Sequence, residues 1–553
     1  MTKNQPAWLS NAIFYEIYPQ SYNDTNGDGI GDLPGITQKL DYIKSIGCNA
    51  LWLNPCFESP FLDAGYDVAD YMKVAPRYGT NEDLCTLFKE AHSRGMHVLL
   101  DLVPGHTSWD HPWFKASCRA EKNEFTDRYV WTNSIWENPD GYGALRGISE
   151  RDGSCAVNFF THQPALNYGF YAPDPEKPWQ QSPDAPGPQA TLEAMKDVMR
   201  FWLKAGCDGF RVDMAGSLVK NDPEQLGTIR LWQNVRAFLD EEFPQAAMIS
   251  EWGEPDKSLA GGFHMDFLLP FGSLHYTDLF RCEEPYFSSR GKGSAATFVE
   301  KYMASYGKAG ETKGLICIPS GNHDTARLKK FLTDDEIKIA FAFLLSMPGA
   351  PFIYYGDEIG MKYLEGIASV EGGYDRTGSR SPMQWSSEAN AGFSTGDASQ
   401  LYIRIDPEED RPTVENAEAD ASSILHTVRR LISVRQQHKP LQSMGNIEFL
   451  PTEGAYPLAY LRTAGNEKIL VIVNPSAEEA TFAGEYDLSH PIYTDGEAAV
   501  CADGVITAKP CSACWFDLTP PRKPVAAATS AAATATGRLQ NVLGKIKSVF
   551  KKN

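Results

Sequence analysis

No run of ~18 or more apolar residues occurs in this chain, so a helix spanning a bilayer is not expected. The first ten residues also lack the apolar core of a signal peptide. Basic residues are in deficit: 51 Lys and Arg against 71 Asp and Glu give a formal charge of −20. Phosphate backbones need a basic footprint, so nucleic acid is not expected as a partner, and a neutral or cationic ligand suits the chain better. Cysteine has no framework spacing. The eleven residues between Cys48 and Cys514 are odd in number, which favours a reducing compartment over an oxidising one. Cys511-Ser-Ala-Cys514 is a CxxC with no second CxxC or His pair, and Val505, Ile506, Trp515 and Phe516 around it suggest a strand, so it is read as structural. Together these absences point to a cytoplasmic protein.

What is present is a core of ordinary hydrophobicity in a chain too long for one domain: 553 residues suit a barrel with one or two attached modules. The organising stretch is Gly209-Phe210-Arg211-Val212-Asp213, an apolar strand ending on a carboxylate. Ahead of it Leu192, Met195, Val198, Met199, Trp202 and Leu203 recur at helical spacing. A helix feeding a strand that ends on a carboxylate is how a (β/α) barrel presents catalytic groups, although any α/β protein has buried strands ending in Asp.

The rest of the chain supports the barrel. Strands are expected at 13–19, 50–54 and 97–103, with helices at 33–47 and 81–95 between them. Right-handed crossovers make the sheet parallel. The rhythm breaks over 104–189, rich in Trp, Asn, Pro, Gly and Asp, which reads as an excursion from the loop after the third strand. Further strands follow at 209–213, 247–251, 263–267, 314–319 and 351–355, completing eight, with helices near 225–243 and 421–437. The expected architecture is thus a (β/α)8 barrel from 1–104 and 190–441, an inserted domain at 105–189, and a small antiparallel β-sandwich at 442–520.

Two segments invite a binding reading. Asp24-Thr-Asn26-Gly-Asp28-Gly-Ile30-Gly-Asp32 places oxygen side chains at alternate positions, with glycines that let the backbone curl around a hard cation. Gly35 in the twelfth position rejects an EF-hand, leaving a calcium loop of Asp24, Asn26, Asp28, the Ile30 carbonyl and Asp32, or a bare acidic turn. At the other end, an Ala/Thr-rich linker at 521–537 precedes an amphipathic basic helix at 538–553, with Arg538, Lys545, Lys547, Lys551 and Lys552 on its polar face. It is read equally as a helix docking on its own protein or a disordered appendage, and as a peripheral anchor on anionic lipid at the inner membrane surface.

Asp213, Glu251 and Asp324 fall where the fourth, fifth and seventh strands end. Two carboxyl groups flanking a sugar carbon, one nucleophile and one acid/base, are what retaining glycoside hydrolysis requires. Arg211, two residues before Asp213 on the same face, is expected to favour its ionised form.

Five stretches in order, Asp101-Leu-Val-Pro-Gly-His106, Gln163-Pro-Ala-Leu-Asn167, 209–213, Ile249-Ser-Glu251 and Gly321-Asn-His323-Asp324, resemble the motifs of the α-amylase superfamily, glycoside hydrolase family 13. The resemblance runs over 8–519 and implies the same barrel, inserted domain B and C-terminal β-sandwich. It implies Asp213 as nucleophile, Glu251 as general acid/base and Asp324 as transition-state stabiliser, with His106, Arg211 and His323 around the sugar and Tyr66 as stacking platform. Gly378-Ser-Arg380-Ser-Pro-Met-Gln-Trp385 and the loop from Asp24 are similar to the α-glucosidase, oligo-1,6-glucosidase and trehalose synthase branch. In that branch the counterparts of Asp63 and Arg380 pair to hold the terminal glucose. Gly105 departs from the usual Asn of an interdomain calcium site, Ala165 replaces an Asp, and Met214 matches neither linkage class.

The expected activity is hydrolysis of α-glucosidic bonds in short oligosaccharides or disaccharides through a covalent glucosyl-Asp intermediate, with Ca2+ as the bound ion and a small α-glucoside as partner. The alternative is a transglucosylase or isomerase of the trehalose synthase type, which offers the same intermediate a sugar hydroxyl. A non-catalytic scaffold is the remote third reading, disfavoured because all three carboxylates are present.

Overall fold

The computed structural model describes residues 5–519 apart from 271 and 273. The linker at 521–537 and the basic segment at 538–553 lie outside the described residues.

Eight short strands carry the core: β1 Phe14–Ile17, β2 Ala50–Leu53, β3 His97–Leu102, β4 Gly209–Val212, β5 Ala247–Ser250, β6 Met265–Phe267, β7 Leu315–Cys317 and β8 Phe352–Tyr354. Their order, β7-β6-β5-β4-β3-β2-β1-β8, is sequential, and every pairing is parallel. A parallel bridge between Pro319 and Phe352 joins the two ends, so the sheet is a nearly closed barrel. The interior is filled by side chains such as Phe14, Trp52, Leu99, Ile249, Phe267 and Phe352, all buried, which makes it a packed core and not a pore. Only glycine fits at 209, where φ is +144° and a Cβ would stand 2.0 Å from the Ala247 carbonyl oxygen of β5.

The helix ahead of β4, Pro186–Ala205, buries Leu192, Met195, Val198, Met199, Trp202 and Leu203, the residues whose spacing predicts it. It starts inside the stretch assigned above to the excursion. Pro186 occupies the first turn, where a missing N–H leaves no carbonyl unpaired. The single helix expected at 33–47 is two, Leu33–Gln38 and Leu40–Ile46. Lys39 leaves helical geometry at φ −99°, ψ 6°, and its N–H closes the first helix on the Ile36 and Thr37 carbonyls.

The excursion after β3 holds one short helix, Pro112–Ser117, a two-residue hairpin pairing Ala144–Leu145 with Cys155–Ala156, and isolated bridges including His106 with Ala165. That last bridge ties its end back to the strand-three loop. C-terminal strands form two antiparallel sheets. β9 Asn446–Phe449, β10 Leu458–Ala464, β11 Glu467–Asn474, β13 Pro491–Asp495 and β16 Ser512–Asp517 make one sheet in the order β9-β10-β11-β16-β13. β12 Ala480–Ala483, β14 Val500–Ala502 and β15 Val505–Ala508 make the other. Leu470, Ile472, Phe482, Ile506 and Phe516 pack between them. Cys514 lies in β16, and all eleven cysteines are free. Among the described residues no helix is long and apolar enough to cross a membrane.

Candidate active site

Register brings the first two carboxylates together. Val212 of β4 pairs with Ser250 of β5, so the next residue of each strand, Asp213 and Glu251, leaves the sheet beside the other. Their backbone amides continue the ladder, Asp213 to the Leu102 carbonyl at 2.8 Å and Glu251 to the Val212 carbonyl at 2.9 Å. Met214 then turns into the left-handed region (φ +44°, ψ 40°), an unfavourable state for a side-chain-bearing residue. The turn aims the Met214 N–H at Glu251 Oε2, 3.0 Å away.

Arg211 is the hub. Fully buried, it donates to Asp101 Oδ1 at 2.9 Å and Asp213 Oδ1 at 3.1 Å, and its Nη2 lies 3.0 Å from Glu251 Oε1. Three carboxyl groups share one guanidinium, and burial opposes the ionised forms of Asp101 and Asp213. Burial raises Asp101 to about 6 although Arg211 pulls it down. Burial and the neighbouring Glu251 push Asp213 well up. Arg211 favours the ionised form of Asp213, as expected, but burial and Glu251 outweigh it.

Asp324 sits in the opposite environment. Arg376 Nη1 and Arg380 Nη2 each donate to its Oδ1 at 2.9 Å, and His323 Nε2 lies 3.3 Å from its Oδ2. Burial would raise Asp324, but the neighbouring positive groups hold it well below the usual carboxylate range. Since burial also holds His323 neutral, the two guanidiniums carry that effect. His323 is set between Glu16 Oε1, 2.9 Å from Nδ1, and the Tyr66 hydroxyl, 2.8 Å from Nε2. Tyr66 stacks on the His323 ring with centroids 5.3 Å apart and donates to Asp101 Oδ2 at 3.0 Å.

His106 is buried, with Nε2 2.9 Å from the Tyr66 carbonyl and Nδ1 3.1 Å from Asn158 Nδ2; burial lowers it to about 4. Asn158 has room because residue 105 is glycine: a Cβ there would meet its amide at 2.7 Å. Asp63 accepts from Gln163 Nε2 at 2.7 Å, and burial raises its carboxyl to about 6. The guanidinium that reaches Asp63 is that of Arg376, at 3.8 Å. Arg380 instead binds the His323 carbonyl at 2.9 Å and Asp324. The expected Asp63–Arg380 pair is replaced because residues Tyr374–Ser379 coil into a 3-10 turn that brings Arg376 inward.

Asp63, Tyr66, His106, Asp213, Glu251, Asp324 and Arg376 line one cavity of about 480 Å³, together with Phe159, Met214, Gln225 and Trp252, a size common for small-ligand sites. Arg211, His323 and Arg380 stand behind that wall. Sequence reasoning missed Arg376 and Glu16. The signal for Glu16 was available, a lone acid inside an apolar strand that is now fully buried. Arg376 gave none, lying in a loop without periodicity.

The Asp24 loop lies apart from the cavity lining. Asp24 Oδ1 accepts from the Asn26 and Gly27 amides, and its Oδ2 accepts from the Gly29 amide and the Ser394 hydroxyl. Asn26 and Asp28 accept from the amides two residues on. Asp32 takes Thr25 on one oxygen and caps the following helix through Gly35 with the other. Among the described residues no three His, Cys, Asp or Glu side chains gather so as to hold a metal ion.

The α-amylase catalytic-domain profile matches residues 16–444, and the chain belongs to the α-amylase family, a family of glycosidase-type enzymes. Among its relatives is trehalose synthase/amylase TreS of Mycolicibacterium smegmatis, 33% identical over 82% of this chain and 80% of that one. Glucan 1,6-alpha-glucosidase of Streptococcus pneumoniae is 31% identical over 86% and 92% respectively. Oligo-1,6-glucosidase of Parageobacillus thermoglucosidasius is 30% identical over the same shares. Trehalulose synthase MutB of Pseudomonas mesoacidophila superposes with a TM-score of 0.76 at 26% identity, covering 92% of this chain and 99% of its own.

Proposed function

We propose that this chain is a retaining α-glucosidase that removes one glucosyl unit from short α-glucosides. The observation that carries the reading is the split environment of three carboxylates at one cavity. Asp213 and Glu251 stand on one guanidinium, that of Arg211, whereas Asp324 is held anionic between Arg376 and Arg380. Asp213 attacks the anomeric carbon while Glu251 gives its proton to the leaving oxygen, so the C1–O bond breaks as the Asp ester forms. Asp324 faces the positive charge that develops on the ring. Glu251 then takes a proton from water, which attacks C1 and releases Asp213. Asp63 and Arg376, 3.8 Å apart in the cavity lining, suit the hydroxyls of a terminal sugar.

Transfer to a sugar hydroxyl instead of water uses the same groups, and relatives named for both chemistries are about equally similar. Incubation with maltose, isomaltose, sucrose and trehalose separates them. Glucose from both halves of maltose supports hydrolysis; accumulating trehalose or another disaccharide rejects it in favour of isomerisation.

The Asp24 loop is proposed as the site of a structural calcium ion. Its donors are hard oxygens, and its seat against Ser394 gives an ion a role in fixing the 390–396 segment beside the barrel.

A further inference from the structure

An aromatic path leads out of the catalytic cavity across the excursion. Phe159 is 53% exposed and lines the cavity. Its ring lies 4.4 Å from that of Phe160, which stacks on His162 at 5.6 Å with planes 19° apart. His162 in turn lies 6.2 Å from Trp109, 38% exposed. The relation of the last two is fixed by the backbone, since the Trp109 N–H donates to the His162 carbonyl at 3.0 Å. Beyond Trp109 the surface opens into two depressions of about 440 and 660 Å³, both lined by Trp109 and Ile148.

Partly exposed rings in a continuous row are uncommon on a soluble surface and mark binding sites. We propose that this row is a docking track for the outer glucosyl units of a longer α-glucan whose terminal unit enters the cavity, so that Trp109 sets a preference for chain length. The proposal rests on the glucosidase reading. The occupant follows from three features. The track is continuous with a cavity suited to one sugar. Aromatic faces match the C–H faces of pyranose rings. Charged groups at its edge, the Asp110–Lys115 pair (2.9 Å) among them, suit hydroxyls. A polyanion is disfavoured by the charge of −20.

Trp109→Ala tests this, read as kcat/KM on maltose against maltopentaose and isomaltose against isomaltopentaose. The expected result is disaccharide turnover within twofold of the parent and a loss of about tenfold on the pentasaccharide of the preferred linkage, carried by KM. Equal losses on both lengths, or none on either, overturn the track. A parent enzyme idle on every α-glucoside would sink the glucosidase reading instead. Titration of the same sugars into Glu251→Gln protein, with and without Trp109→Ala, then judges the track by itself. Weaker pentasaccharide binding in the double variant alone sustains it, and indifference to Trp109→Ala, or no binding at all, rejects it.

Discussion

The guanidinium of Arg376 lies 3.8 Å from Asp63 and 2.9 Å from Asp324, so one side chain spans two acids that line the same cavity. Because it neutralises both, Arg376→Ala is expected to act twice. Loss of one partner of a partly buried charge pair costs about 2 kcal/mol or more, roughly 30-fold in kcat/KM. Asp324 also loses a cation that favours its charged form, but it keeps Arg380, so its pKa rises only from well below the usual carboxylate range and Asp213, pushed well up, still sets the acid limb. A pH–rate profile should therefore show a lowered plateau with an unmoved acid limb; a plateau within twofold of the parent would remove Arg376 from the account of the site.

Asp213 and Glu251 are expected to fail differently. Asp213→Asn removes the nucleophile and abolishes turnover of every α-glucoside. Glu251→Gln removes a proton donor worth roughly 10²–10⁴-fold on natural sugars. On p-nitrophenyl α-glucoside, whose leaving group needs little protonation, the first half-reaction survives and the second lacks its base. Rapid-mixing experiments should then show a burst of nitrophenol followed by slow release. A burst from Asp213→Asn and none from Glu251→Gln would reverse the two assignments.

The barrel was legible because each strand is an apolar run of fixed rhythm, and the carboxylates because register places 213 and 251 one residue past paired strand ends. The expected strand bounds ran a residue too far at that end, since the functional residues follow the last paired position. Less legible was anything decided by how a loop coils. Arg380 sits in a recognisable motif, yet the geometry of Tyr374–Ser379 gives Asp63 to Arg376. Electrostatics read from neighbours in the chain had the right sign at Asp213 but were incomplete, because Glu251, 38 positions on in sequence but adjacent across the sheet, joins burial in outweighing Arg211.

The Asp24 loop supplies a thermal prediction. An ion that binds only the folded state stabilises it by about 2.7 kcal/mol at a hundredfold excess over Kd. Calcium should therefore raise Tm by several degrees relative to EDTA. Asp28→Asn keeps an acceptor for the Ile30 N–H and removes one charge, so it should blunt the response with little change in the EDTA Tm. Identical Tm values in calcium and EDTA for the parent protein would remove the ion from the account.

Asp266, fully buried in the middle of β6, gives a prediction about stability alone. Burial pushes its carboxyl up to about 8, against a hydrogen bond from Ser250 Oγ at 2.6 Å. The folded protein therefore holds a proton between about pH 4 and 8 that the unfolded chain has released. With more protons bound in the folded state, stability falls as pH rises through that window, by at most about 1.4 kcal/mol per pH unit, and levels off above it. Asn at this position cannot titrate. Asp266→Asn should thus flatten the decline in urea-unfolding free energy between pH 5 and 8 by up to one proton's share, whatever it does to the absolute value. Asp63, Asp101 and Glu358, raised to about 6, 6 and 7, keep the remaining slope. Parallel curves for parent and variant across that range would show that Asp266 is charged in the folded protein and that its burial is compensated.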